Sequence, residues 1–183
     1  MKNYRIFVEK KDRFRVEAES LKRELNQHLN LNIEQLRLIC VYDLFGFSEE
    51  LVEQCRYGVF GELVTDTVSD SCPLEGLPHL AVEFLPGQFD QRAASAVDCV
   101  RLVDPKADVR IRSSKLLIFD QGVTEEDLQK IRHFSHRSGF MALVNVGNYG
   151  NIEFFFYSSQ ISQPFFQAGA TAGGSAGTVC FVP

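Results

Sequence analysis

The segment "LRLICVYDLFGFSEE" (36–50) contains the pattern from which the fold of this chain is predicted. Its first ten residues (36–45) are almost all apolar or β-branched, which predicts one strand or two successive strand segments. Gly46 breaks that pattern. Ser48 is then a favourable N-cap, and the two glutamates after it would lie in the first turn of a helix. We therefore predict a strand followed directly by a capped helix.

The same order recurs about 75 residues later in the chain. "VRIRSSKLLIF" (109–119) is strand-like around a central pair of serines, Gly122 breaks it, and Thr124 precedes three acidic residues, as a cap would. A strand and a helical pattern also precede each of these units. The strands are "YRIFVE" (4–9) and "HLAVEFL" (79–85).

Single residues align between the two copies with a shift that drifts from 74 to 76. The aligned residues are Val8-Glu9 with Val82-Glu83, then Phe14, Ala18 and Ser20 with Phe89, Ala93 and Ser95, and finally Gly46, Ser48, Glu49 and Glu50 with Gly122, Thr124, Glu125 and Glu126. The shared order of elements is stronger support for a repeat than these identities. The alignment also predicts that Phe89 is a plug beneath its loop.

The repeat predicts an α+β fold made of tandem βαββαβ-type two-layer plaits that form a pseudo-dimer. Residues 1–75 would be the first plait repeat with its linker, and residues 76–137 the second. One such half buries little surface, so the two should pack on each other. Packing of the two sheets through their open faces would explain the continuous apolar character of residues 36–45.

Residues 138–183 form an atypical apolar C-terminal tail, rich in Gly and Phe. Glu153 is its only charged side chain, and it holds seven of the sixteen Phe and seven of the thirteen Gly. "MALVNV" (141–146) is the nearest candidate for the closing strand of the second repeat. Residues 151–157 could complete an added hairpin, or the tail could be an aberrant C-terminus from a truncated or frameshifted reading frame. The sequence leaves these alternatives open.

Composition narrows the possible partners of the chain. A net charge of −5 argues against nucleic acid and membrane surfaces, both of which attract basic patches. No apolar run approaches the roughly 20 residues that span a bilayer. The five cysteines show neither zinc-site spacing nor the density of a disulfide framework. We therefore expect a cytoplasmic protein.

No catalytic residue and no metal site are predicted. The chain has no Walker-type phosphate loop, no G-x-S-x-G motif and no cluster of metal ligands. His133 and His136 fall at a helix end, where they complement exposed carbonyls. The acidic pairs occupy first turns of helices, and Cys40 and Cys99 are expected to be small core residues.

The loop in "FLPGQFDQRAASA" (84–96) is the best candidate site. Asp90 is placed to cap the next helix with its carboxylate. Gln88, Gln91 and Arg92 then form a group of surface donors that could contact a partner domain. The alternative is a solvated, capped turn with no binding role.

Three strings carry a family resemblance: "RIFVEKK" (5–11), "VYDLFGFSEE" (41–50) and above all "LPGQFDQRAASA" (85–96). They resemble the N-terminal, accessory-subunit-like domain of phosphoribosylformylglycinamidine synthase in its large single-chain form. The resemblance runs from about Lys2 to Phe134. Beyond it the family continues with an "NPV(D/E)SR"-like segment, from which "SHRSGFMALVNV" (135–146) departs.

The resemblance implies a non-catalytic scaffold or docking domain. The family's enzyme, a glutamine amidotransferase ligase of purine biosynthesis, uses ATP and Mg²⁺ to convert formylglycinamide ribonucleotide and glutamine to formylglycinamidine ribonucleotide. Its ATP site, substrate site and glutaminase cysteine lie in later domains, so no cofactor is expected in this chain. The implied partners are the synthetase and glutaminase domains. The alternative function is a stand-alone plait-type regulatory module that binds a small metabolite between its two halves.

Overall fold

The computed structural model describes residues 3–74, 76–84, 88–137 and 142–144. The fold is α+β, with helices layered on an antiparallel sheet. A short 3-10 turn at Asp12–Phe14 precedes the first helix. The elements are β1 (Tyr4–Lys10), α1 (Val16–Leu29), β2 (Leu36–Phe45), α2 (Glu49–Arg56), β3 (Asp66–Ser69), β4 (His79–Glu83), α3 (Gln91–Val103), β5 (Arg110–Phe119), α4 (Glu125–Arg137) and β6 (Ala142–Val144).

The six described strands form one sheet in the order β3-β1-β2-β5-β4-β6, and every pair is antiparallel. The longest pairing joins β2 to β5, from Leu36↔Phe119 to Phe45↔Arg110. The two sequence halves therefore join edge to edge, and the predicted packing of two sheets through their open faces is wrong. Pairing along ten-residue strands satisfies the backbone groups of both edges, which two separate sheets would leave exposed.

Each half contributes three described strands rather than the four of a βαββαβ plait, because residues 36–45 and 110–119 each form a single strand. The second half is closed by β6, which pairs with β4 through Ala81↔Val144, Val82↔Leu143 and Glu83↔Ala142. This is the closing strand predicted from residues 141–146. The other proposed strand of the tail, residues 151–157, lies outside the described residues.

All four helices pack on the same face of the sheet. One core cluster brings α2 and α3 together with the sheet, and its members include Ile6, Tyr42, Leu44, Val52 and Val100. The second unites α1 and α4 with the sheet, and its members include Leu25, Leu36, Phe119, Leu128 and Ile131. Leu36 and Tyr42 are six residues apart on β2 and therefore share a sheet face. Full burial of each large apolar side chain contributes about 1.5–3 kcal/mol.

The opposite face of the sheet is also buried. Phe7, Ile39, Val41, Leu116 and Ile118 all belong to it and are at most 5% exposed. Alternate residues of β2 thus enter two apolar layers, which is why the segment reads as continuously apolar. This face also carries two cross-strand ion pairs, Arg5–Asp43 and Arg37–Glu9.

Residues 1–147 constitute one compact unit. The predicted boundary between residues 75 and 76 therefore separates two halves of one sheet rather than two independent bodies. Of the predicted tail, only the three residues of β6 are among those described.

Candidate functional site

Asp90 occupies the N-cap position of α3 and also ties that helix to the sheet. Its Oδ1 accepts hydrogen bonds from the Ala93 backbone N–H at 2.9 Å and from the Ser113 hydroxyl at 2.8 Å, and its Oδ2 accepts one from the Ser113 backbone N–H at 2.8 Å. The pairing of β4 with β5 ends next to this point, at Glu83↔Ser114. The carboxylate therefore takes the place of a strand partner, a role that the sequence analysis did not predict.

Phe89 is not a plug. Its side chain is 74% exposed, and the aligned Phe14 is 43% exposed. The reason lies in the helix that follows: α3 packs against β5 through Ala93 and Ala96, both 5% exposed. Small side chains let the helix approach the sheet closely and leave no room beneath it for an aromatic ring. The loop therefore presents Phe89 to solvent.

The three predicted contact residues occupy two different environments. Gln88 and Gln91 are exposed beside Phe89. Arg92 is an exposed residue, but its Nη1 donates a long hydrogen bond of 3.5 Å to the Tyr42 hydroxyl. The loop thus offers two glutamines and a phenylalanine outward, while the arginine borders the interior.

Arg92 and Tyr42 border a cleft of about 270 Å³ between α1, β1, β2 and the turn near Gly61. Every other lining residue belongs to the first half of the chain, so the arginine is the second half's contribution to this cleft. Its other lining side chains include Val8, Lys10, Arg15, Ala18, Leu38 and Asp66.

Most charges at the cleft are neutralised by ion pairs. Lys10 Nζ lies 2.8 Å from the buried carboxylate of Asp66, which also accepts a hydrogen bond from the Glu62 backbone N–H at 2.8 Å. Arg15 pairs with Glu9 and with Asp12. Arg92 forms no ion pair with any described carboxylate. Within the described part of the chain it is the cleft cation without an ion pair, although the carboxylates of Glu17 and Glu62 also line the cleft and Glu17 favours the charged form of Arg92.

The titratable groups beside Arg92 are held in their neutral forms. Burial raises the pKa of Tyr42, although the Arg92 guanidinium opposes the shift. Burial likewise raises the pKa of the Cys40 thiol, again against Arg92. At neutral pH the cleft therefore presents a phenol and a thiol, not a phenolate or a nucleophilic thiolate. Cys99, expected in the core, is exposed on α3.

The other acidic groups singled out from the sequence lie in the first turns of α2 and α4, beside capping residues. Thr124 and Asp127 form a reciprocal pair: the Asp127 backbone N–H donates to the Thr124 hydroxyl at 3.2 Å, and that hydroxyl donates to the Asp127 carboxylate at 2.7 Å. Hydrogen bonds from Thr124 also lower the pKa of Asp127. Ser48 caps α2 by accepting from the Leu51 backbone N–H at 3.2 Å. These groups stabilise helix ends.

The described residues contain neither a metal-binding cluster nor a helix that could span a membrane. Within residues 3–74, 76–84, 88–137 and 142–144, no three His, Cys, Asp or Glu residues are grouped so that they could hold a metal ion. Of the helices described, none has the length and apolar character to cross a membrane.

No family model, curated protein or solved structure matches this chain. The function must therefore be argued from the residues. The loop and Asp90 were predicted from the sequence, whereas Tyr42, the exposure of Phe89 and the role of Ser113 were not. The signal for Ser113 was present as two serines in the middle of an apolar strand, where a hydroxyl needs a partner.

Proposed function

We propose that this chain is a non-catalytic docking domain of a phosphoribosylformylglycinamidine synthase, whose partners are the synthetase and glutaminase domains. The support is the string "LPGQFDQRAASA" (85–96), in the right order with "RIFVEKK" and "VYDLFGFSEE". ATP and Mg²⁺ would bind the partner domains. The site of action would be the cytoplasm, where purine synthesis takes place.

The observation that carries the proposal is that Phe89 is exposed while the residue next to it is held by hydrogen bonds. The next residue, Asp90, accepts three hydrogen bonds that bind the loop to α3 and β5. Phe89 itself is 74% exposed. An exposed aromatic side chain on a backbone held in place is a common anchor in protein interfaces. Gln88, Gln91 and Arg92 would supply the polar contacts around it.

A pseudo-dimer built from the repeat forms part of the same proposal. Read inward from one edge of the sheet, the strands are β3, β1 and β2, and read inward from the other edge they are β6, β4 and β5. The two halves therefore have the same strand order when β1, β2 and β3 are matched with β4, β5 and β6. The repeat shift of 75 also carries Cys40 onto Lys115, its own partner across the β2–β5 pairing. We infer a pseudo-two-fold axis near that pair, relating residues 4–68 to residues 79–134. Superposition of the two halves tests it, and an unequal spatial order of their elements would refute it.

Docking is tested by co-expressing the chain with the synthetase and glutaminase domains of a large single-chain synthase from which the N-terminal domain has been removed. We expect the chain to be retained on the affinity-tagged catalytic part and to restore its synthase activity. Phe89→Ala should weaken retention at least about tenfold, the loss typical of an interface anchor. Leu102→Ala is the matched control, because Leu102 is 85% exposed at the other end of α3.

Equal retention of Phe89→Ala and the parent chain would refute the role of the loop. Absence of retention for the parent chain would refute the docking function itself. The chain alone should show no turnover of formylglycinamide ribonucleotide with ATP and either glutamine or ammonia.

A further inference from the structure

Among the described residues, the Tyr42 hydroxyl at the cleft is a buried donor without an acceptor. Tyr42 is 4% exposed, and its described hydrogen bond is the one it accepts from Arg92 at 3.5 Å. The hydroxyl hydrogen has no acceptor among the described residues. A buried hydroxyl that does not donate a hydrogen bond costs free energy, so an acceptor placed at this point would stabilise the cleft.

Arg92 presents a second set of donors at the same place. A guanidinium is planar, always charged and suited to bidentate bonds with carboxylate or phosphate oxygens. The contact with Tyr42 is long and uses Nη1, which leaves the other nitrogens for further partners. Lys10 and Arg15, the other cations at the cleft, are already paired with acids. One acceptor placed beside Arg92 and Tyr42 would therefore receive hydrogen bonds from both side chains.

We propose that this cleft binds a small organic anion, whose carboxylate or phosphate oxygens accept hydrogen bonds from Arg92 and Tyr42. The body of the ligand lies against the apolar wall of Val8, Ala18 and Leu38. The volume, about 270 Å³, is near the lower end of the range for ligand pockets and suits a molecule of about ten heavy atoms. This site shares Arg92 with the docking surface around Phe89, but Tyr42 belongs to the cleft and Phe89 to the docking surface.

Three probes of nearly equal size separate charge from shape: benzoate, phenyl phosphate and the neutral benzamide. Each is titrated into the full-length chain while NMR amide and arginine side-chain signals are recorded. We expect saturable shifts at Tyr42 and Arg92 with at least one anion, and none with benzamide at up to about 20 mM, a range that detects weak binding. The tighter of the two anions identifies the head group as a carboxylate or a phosphate.

Two variants assign the donors. Arg92→Gln should weaken binding of the preferred anion at least about tenfold, and Tyr42→Phe about fivefold, because each removes donors to a charged acceptor. Arg101→Gln is the control on the same helix, because Arg101 is exposed and paired with Asp98. Arg92→Lys keeps the charge and should give intermediate affinity, which also serves if Arg92→Gln does not fold.

Equal binding of benzamide and the anions would overturn the proposal, and so would unchanged affinity in folded Arg92→Gln. Absence of saturable binding by both anions would overturn it as well. Anion binding and docking can be told apart with two variants. The Tyr42→Phe chain should still be retained on the catalytic domains, and the Phe89→Ala chain should still bind the anion.

Discussion

Asp90 and Ser113 are joined twice, once through the serine backbone N–H and once through its hydroxyl, both at 2.8 Å. The two residues lie 23 positions apart, at the start of α3 and in the middle of β5. A single carboxylate therefore caps a helix and ends a strand pairing. The position of the loop relative to the sheet depends on this relationship.

Asp90→Ala should destabilise the chain more than the loss of an ordinary cap. A cap contributes about 1 kcal/mol, and each further hydrogen bond about 1 kcal/mol, so we expect a loss of about 2–3 kcal/mol. Ser48→Ala removes one capping bond from α2 and should cost about 1 kcal/mol. Urea unfolding of both variants measures the difference. Equal losses would mean that the bonds to Ser113 contribute nothing.

Gly46→Ala should be more damaging than Gly58→Ala. Both glycines have positive φ, 81° and 107°, which costs an L-residue about 1–2 kcal/mol. At Gly46 an added Cβ would also lie 2.6 Å from the backbone oxygen of Asp108, whereas at Gly58 it would meet nothing. We expect the free energy of unfolding to fall by about 2–4 kcal/mol in Gly46→Ala and by about 1–2 kcal/mol in Gly58→Ala, measured by chemical denaturation. Similar losses of stability in the two variants would show that the backbone near Asp108 shifts to make room for the added Cβ.

Arg5→Met should destabilise the chain by about 3–5 kcal/mol, since it leaves the Asp43 carboxylate without its partner in a buried site. The two side chains are 12% and 8% exposed, and Nη2 lies 2.9 Å from Oδ2. Adding Asp43→Leu should recover part of that loss, because an apolar pair carries no unpaired charge. A double-mutant cycle measures the coupling. A double variant less stable than Arg5→Met would contradict the prediction.

Asp120 should contribute to unfolding in acid. Burial opposes its ionised form, but backbone N–H groups of Gln35, Gly122 and Glu34 donate to the carboxylate and lower its pKa. Because the folded-state pKa is lower than the unfolded value of about 3.9, the contribution is present above about pH 4 and is lost as pH falls through the folded value.

Asp120→Asn should therefore be less stable than the parent at neutral pH, and its unfolding free energy should fall less steeply below about pH 4. Thermal unfolding between pH 2 and 7 records both curves. Parallel acid limbs would exclude this carboxylate from the pH dependence.

The joining of the two halves shows where sequence reasoning fell short. The apolar pattern of residues 36–45 is the same whether two sheets stack or one sheet continues, because both arrangements bury both faces of the strand. The choice depends on whether the free edge of β2 meets β5, a pairing of residues more than 60 positions apart. Likewise, the repeat alignment could not place Phe89, because the space beneath α3 depends on how closely that helix approaches β5.

The sequence by itself determined the features that arise within a few residues: the strands and helices, their order in each half, and the caps at Ser48, Asp90 and Thr124. Capping bonds and side-chain periodicity act over one or two turns, so a local pattern contains them. Tertiary structure alone decided the β2–β5 junction, the bonds from Asp90 to Ser113, and the meeting of Arg92 with Tyr42 at the cleft. These contacts join residues 23 to 83 positions apart, and only the packing of helices on the completed sheet brings them within bonding distance.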